Sequence, residues 1–323
     1  MNRKKLPKTF LLPHGAILLS ALIWGVAGPI TKLALNDIPV FTFLLFRFLL
    51  VGLLVLPYLA YELTKDPVKK EDIPGIVLLG IAGQASIALI FIALKFTSAL
   101  DVALIGSIGP ILVFLAGRYF YHEKITKLEI FGMSLAFLGT LYIVLGPILG
   151  QKFSITGGER MIGNIFVILY NLSWPVYIIL GKQLVGKDSK ELNSIFKKFG
   201  IKKLSKDYKP ATITALSFFV GLAFFIPAAA VEATTTNYYP VFTTNALIGI
   251  TYMALLSSIV AYGVYQWGLK YLEAQETAVY SYLGLLFNIP AAFLILGEIP
   301  TQQMAVGVVV IAVGVVIAEK FKS

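Results

Sequence analysis

Cysteine is absent from this 323-residue chain, histidine occurs twice, and only 14% of the residues are charged. The lack of cysteine excludes a disulfide framework and a thiolate metal site. His14 and His122 stand beside proline or basic residues at the ends of apolar runs, a poor basis for a metal or acid–base centre. No paired-histidine motif, nucleophile–histidine arrangement or glycine-rich phosphate loop occurs, so no catalytic residue, metal or cofactor is expected. The scarcity of charge is equally informative. Soluble domains are roughly 25% charged and about 45–50% apolar, whereas this chain is 58% apolar. That composition indicates a polytopic membrane protein, with the lipid bilayer as its partner.

About 20 apolar residues carry a helix across the hydrocarbon. Ten such runs are present, at roughly 15–35, 39–61, 74–94, 98–118, 128–149, 161–181, 211–231, 245–268, 274–296 and 301–319. Backbone groups in lipid must pair within the protein, which restricts spans to helices or a closed barrel. The runs are too long, and alternate too little, for barrel strands. Residues 1–14 have the basic start of a signal peptide without a clear cleavage site, so the first run is read as a retained span.

The net charge of +10 could point to nucleic acid, but its distribution points to loops on one membrane face. With the N-terminus in the cytoplasm, 22 of the 27 Lys and Arg fall on the inner side and 4 on the outer, while Arg47 lies inside a span. This asymmetry places both termini in the cytoplasm, with no nucleic-acid partner. The one long connection, 186–209, is a basic insertion. Leu192, Ile195, Phe196 and Phe199 share a helical face there, beside several lysines. Such a segment is suited to an anionic membrane surface.

The second half repeats the first. "ALDVALIGSIGP" (99–110) aligns with "AQETAVYSYLGL" (274–285) at an offset of 175, and Gly132 and Gly139 align with Gly307 and Gly314. "WGVAGPITK" (24–32) aligns with "WPVYIILGK" (174–182) at an offset of 150. The difference between the offsets, 175 − 150 = 25, is close to the length of the insertion, with small loop differences also contributing. Each half holds five runs, an odd number, so the second half enters from the opposite side. The expected fold is an all-α membrane protein of ten transmembrane helices, arranged as two inverted five-helix repeats at 15–149 and 161–319. Two related halves around a midplane site suit alternating access.

Four stretches carry a family resemblance: "SALIWGVAGPITKLAL" (20–35), "FRFLLVGLLVLP" (46–57), "GPILVFLAGRYFYHEKITKLEIFGMSLAFLGTLYIV" (109–144) and "LGEIPTQQMAVGVVVIAVGVVIAE" (296–319). With these the chain resembles the drug/metabolite transporter superfamily, specifically proteins with two EamA domains. The resemblance implies a ten-helix transporter of small organic solutes, often directed outward, whose substrates include amino acids, other metabolites, sugar nucleotides or drugs. The ninth run departs from the family pattern: Leu285 stands where proline is frequent, and Pro290 follows five residues later.

Candidate substrate-binding residues are polar or aromatic groups within the runs: Trp24, Arg47, Gln84, Asn171, Trp174, Tyr177, Tyr262, Gln266, Tyr280 and Asn288. A mostly aromatic cavity with a few amides suits a neutral, zwitterionic or aromatic-bearing molecule. Arg47, about 12 Å from its helix end at 1.5 Å per residue, could grip a carboxylate or simply bond helix-end carbonyls. Lys32 with Asp101 and Lys182 with Glu276 are candidate mirrored gating pairs, or else interfacial anchors. The recurring glycines are expected to let helices approach closely. The function expected is export of a small organic metabolite, an amino acid or related amphipathic compound, from a prokaryotic cell across the cell membrane. A drug or nucleotide-sugar carrier and a membrane-embedded lipid-modifying enzyme stay open as alternatives, as does the oligomeric state.

Overall fold

The computed structural model describes residues 11–97, 102, 105–106, 108–122, 124–148, 157–185, 189–198, 203–236, 242–272, 274–297 and 302–321. Among these residues all regular structure is helical: α1 (Leu11–Leu35), α2 (Val40–Lys65), α3 (Ile73–Phe96), α4 (Ile108–Tyr121), α5 (Lys127–Ile148), α6 (Gly157–Val185), α7 (Lys190–Lys198), α8 (Pro210–Thr236), α9 (Thr244–Leu269), α10 (Ala274–Ser281), α11 (Leu283–Leu296) and α12 (Gln302–Lys320). Among the described residues seven helical stretches are long and apolar enough to cross a membrane, one of them, Val279–Leu296, running across α10 and α11, and α4 and the Ala305–Ala318 stretch of α12 are shorter apolar helices. Leu53, Leu115, Leu138, Leu294 and Val309 point outward and stay exposed. In water such a surface would aggregate; in lipid it has nothing to escape from.

Two of the apolar runs are not uniform helices. In α9 the middle stretch, Met253–Ala261, winds as a π-helix. Ser258 Oγ donates to Met253 O, five residues back, at 2.8 Å. The ninth run breaks at Tyr282, between α10 and α11, and the Tyr282 amide bonds Val279 O at 3.3 Å in a tightened turn. Pro290, in contrast, sits inside α11 without ending it.

The helices pack in reciprocal pairs. α5 lies against α12, α3 against α6, α1 against both α9 and α11, α4 against α6 and α10, and α2 against α8. The α5–α12 seam depends on glycine. A Cβ at Gly132 would meet Gly314 O at 2.6 Å and Ala318 N at 2.5 Å, and one at Gly139 would meet Gly307 O at 3.1 Å. Since Gly132 faces Gly314 and Gly139 faces Gly307, the two helices run antiparallel. In the α2–α8 pair, Phe48 packs on Phe218 and Phe225, with ring centroids 5.7 and 5.2 Å apart. At one end of this pair the buried Glu232 caps α2, accepting from Phe41 N at 3.1 Å and Thr42 N at 2.7 Å. At the other end the buried Glu62 accepts from Lys209 Nζ at 2.7 Å, beside the start of α8. These carboxylates satisfy donors that a helix start leaves unpaired, or meet a cation there.

The insertion corrects the expectation of a membrane-surface helix. α7 forms, but Leu192 and Phe196 are buried against the protein. The described part of its apolar face, Leu192 and Phe196, is covered by protein rather than left for lipid. Ile195's side chain and Phe199 lie outside the described residues.

Candidate functional site

A cavity of about 320 Å³ lies between α1, α4, α6, α9, α10 and α11. Trp24, Tyr170, Asn171, Trp174, Tyr265, Tyr280, Tyr282 and Asn288 line it, along with Gly25, Gly109, Pro110, Thr277 and Ser281. No Lys, Arg, Asp or Glu is among its described lining residues.

The α1 wall follows from Pro29. Proline has no amide hydrogen, so the carbonyl four residues back, at Gly25, loses its helical donor. Asn288 Nδ2 on α11 supplies it at 2.9 Å. The helices meet closely because residue 25 has no side chain: a Cβ there would come within 2.4 Å of Gly284 O. Its chain neighbour Trp24 donates the indole N–H to Ser257 O at 3.2 Å, a carbonyl of the π-helical stretch. Buried indole donors require such a partner. Ser20 Oγ reaches Ala261 O in the same stretch at 3.0 Å.

The aromatic wall is built across α1, α6 and α9. Trp24 meets Trp174 edge-on at 5.8 Å, Tyr262 at 5.1 Å and Tyr265 at 5.0 Å. Trp174 stands 5.2 Å from Tyr177, whose hydroxyl accepts from Gln266. Tyr280 shares a hydrogen bond of 2.9 Å with His14 Nδ1. Asn171 donates to Ile105 O at 2.5 Å, which fixes its amide orientation and leaves Oδ1 buried without a hydrogen-bond partner beside Gly109.

Of the residues singled out in the sequence, Trp24, Asn171, Trp174, Tyr280 and Asn288 line the cavity. Tyr177, Tyr262 and Gln266 stand behind its aromatic wall, in contact with the tryptophans or with each other. Arg47 and Gln84 are not among the lining residues. Arg47 is 1% exposed, donates through Nε to Ser258 Oγ at 2.9 Å, and lies over the Phe48 and Phe91 rings. Gln84 donates to Ser217 O at 3.2 Å, between α3 and α8. Lys182 is buried and donates to Leu272 O at 2.9 Å. Lys32 is exposed near the end of α1. Asp101 and the side chain of Glu276 lie outside the described residues, so neither expected gating pair falls within them.

Sequence reasoning missed the glutamates that lock α2 to α8, although a signal existed. Thr42, Phe48, Pro57 and Glu62 recur as Thr212, Phe218, Pro227 and Glu232, all at an offset of 170. It also passed over Gly109, Thr277 and Ser281 in the cavity wall, small residues with no local mark of a binding role.

A chamber walled by aromatics, with no charge among its described lining residues, inside a bundle of membrane-length helices defines an integral membrane protein with an internal cavity of the kind that receives small molecules. A family model described as the EamA-like transporter family matches residues 12–145 and 198–319, and the chain belongs to that family. It is 26% identical over 305 residues to an uncharacterized transporter of Archaeoglobus fulgidus, covering 94% of this chain and 95% of that one. It is 28% identical over 262 residues to the uncharacterized transporter YyaM of Bacillus subtilis, covering 79% and 75%. A probable amino-acid metabolite efflux pump of Escherichia coli is 22% identical over 309 residues, covering 93% and 92%. A crystal structure with 15% identity superposes with a TM-score of 0.72, covering 96% of this chain and 97% of that one, and so shares the fold.

Proposed function

We propose that this protein is a secondary transporter that exports an amino acid or related amphipathic metabolite across a prokaryotic cell membrane by alternating access. The observation that carries the reading is the meeting of Trp24 and Trp174 at the cavity wall. The two occupy equivalent places in the sequence halves, 150 residues apart. Equivalent residues touch only near the axis that relates them, so a two-fold through the cavity accounts for the contact. The crossed pairing of Gly132 with Gly314 and Gly139 with Gly307 supports the same axis, since a two-fold interface pairs i with j and j with i. Its antiparallel sense supports inverted halves. The ten-span arrangement, with five helices in each of 15–149 and 161–319 and both termini in the cytoplasm, follows from this reading and from the Lys and Arg asymmetry.

The substrate class rests on the chamber's chemistry. Aromatic faces and amide groups receive an amphipathic molecule with an amine or a ring. The absence of charge among the described lining residues disfavours a nucleotide sugar, whose phosphates need several cations. The Escherichia coli relative, a probable amino-acid metabolite efflux pump, is in keeping with this class. Arg47, buried and absent from the described lining, would meet a substrate carboxylate only in a different conformation. Lys32 and Lys182 are assigned here to the closing contacts of opposite faces. Counterflow of radiolabelled amino acids into proteoliposomes preloaded with the unlabelled compound tests the reading. Exchange is expected for at least one amino acid, reduced tenfold or more by Trp24→Ala or Trp174→Ala. Folded protein that exchanges nothing across a broad metabolite panel would sink it.

A further inference from the structure

Among the described residues, three buried side-chain atoms have no hydrogen-bond partner: Gln84 Oε1, Thr214 Oγ1 and Asn171 Oδ1. Of the three residues, only Asn171 belongs to the chamber wall. It is 3% exposed, and its orientation is set, because Nδ2 donates to Ile105 O at 2.5 Å. The oxygen cannot turn toward a donor elsewhere without giving up that bond. A buried acceptor without a partner costs free energy that a fold built for stability alone would avoid. Gly109, also in the lining, stands beside it, and a Cβ there would lie 2.9 Å from Oδ1. With glycine at 109, no side chain from that position presses on the oxygen.

Helix packing does not demand this amide. At the offset of 150 that pairs Trp24 with Trp174, Asn171 pairs with Ala21, and Ala21 lines the chamber too. The related wall is built with a methyl group at that place. The two sides of the chamber therefore match in their tryptophans and differ in this one polar group. The other lining amide, Asn288, has a structural task, since its Nδ2 replaces the donor that Pro29 takes from Gly25 O.

What the oxygen lacks is a donor, and its neighbours narrow the kind. Tyr170, adjacent in the chain, and Trp174, about one turn on, bring aromatic rings into the same wall, with centroids 6.3 Å apart. Amide oxygens and aromatic faces are groups that hold an ammonium where no carboxylate is at hand. No Lys or Arg is among the described lining residues to receive an acid group. We propose that Asn171 Oδ1 is the acceptor for a substrate ammonium, so that the chamber selects its substrate by a protonated amine rather than by a carboxylate. The ammonium reaches the oxygen past Gly109 and supplies the hydrogen bond that the protein leaves unmade. This assignment rests on the transport reading and narrows its substrate class to organic amines, with or without a carboxylate.

Binding is read from the rise in melting temperature of the full chain in lipid nanodiscs, titrated with each probe to give its affinity. The probes are two pairs with matched skeletons: phenethylamine with 3-phenylpropionate, and isopentylamine with 4-methylpentanoate. At least one amine is expected to stabilise the protein, and neither acid. Asn171→Ala, which copies the related wall, is expected to weaken binding of that amine tenfold or more. Gly109→Ala keeps the amide and sets a methyl against its oxygen, so it is expected to show the same loss and carries the test if Asn171→Ala does not fold. Acids that bind as well as the amines overturn the proposal. So does an unchanged amine affinity in either folded variant, or no binding by any of the four probes. The measurement reads binding alone, so it and the counterflow test can fail independently. Exchange of a metabolite that has no amine would leave the transport reading standing and sink this one.

Discussion

Pro29 removes one amide hydrogen from α1, and the consequence crosses to another helix. Gly25 O is left free, and Asn288 on α11 donates to it at 2.9 Å. Lipid offers no substitute donor, so the pair must be made within the protein. Asn288→Leu keeps the volume and removes the donor. It is expected to lower stability by about 1 kcal/mol, read as a drop in melting temperature of the detergent-purified protein. No change would mean that Gly25 O has another partner. The sequence announced the disturbance, because Gly25, Gly28 and Pro29 are poor helix formers. It could not announce the remedy, which lies 263 residues away. Arg47 teaches the same lesson in reverse. Its depth was legible in the sequence, while its partner, Ser258 on the π-helical stretch, was not.

At the scale of elements, the glycines at 132 and 139 act as contact points between helices. Their seven-residue spacing places them on one face of α5, and that much was readable. The facing carbonyls of Gly307 and Gly314 are what make any side chain there intolerable. Gly132→Val is expected to cost about 1–3 kcal/mol through overpacking, seen as loss of monodisperse protein on size-exclusion chromatography. Gly263→Ala serves as the control, since nothing lies within 4 Å of its added Cβ, and it should leave the elution profile unchanged. α7 was legible as an amphipathic helix but not in its docking. A pattern of Leu192 and Phe196 says that one face must be covered, and lipid and protein satisfy that demand equally well. The π-helical stretch of α9 left no mark in composition, because Met253–Ala261 would read equally well as a regular apolar helix.

For the whole molecule, sidedness is the property most open to a direct check. Lys152→Cys and Ser323→Cys, each introduced singly, are to be treated with a membrane-impermeant maleimide in intact cells. Lys152→Cys is expected to react at once, and Ser323→Cys only after the membrane is permeabilised. The reverse pattern would invert the assignment and place the basic insertion on the outer face.

Composition alone determined that this chain belongs in a bilayer. Its 58% apolar content and long uncharged runs have no other stable environment, and backbone pairing in lipid, with runs too long for barrel strands, then forces helices. The recurrence of residues at offsets of 150 and 175 determined that the halves are related. Only the tertiary structure decided which residues share a chamber. It brought Trp24 to Trp174 and left Arg47 and Gln84 between other helices. Helical periodicity fixes a residue's place around its own axis, but which neighbour that face meets depends on close packing against every other helix at once.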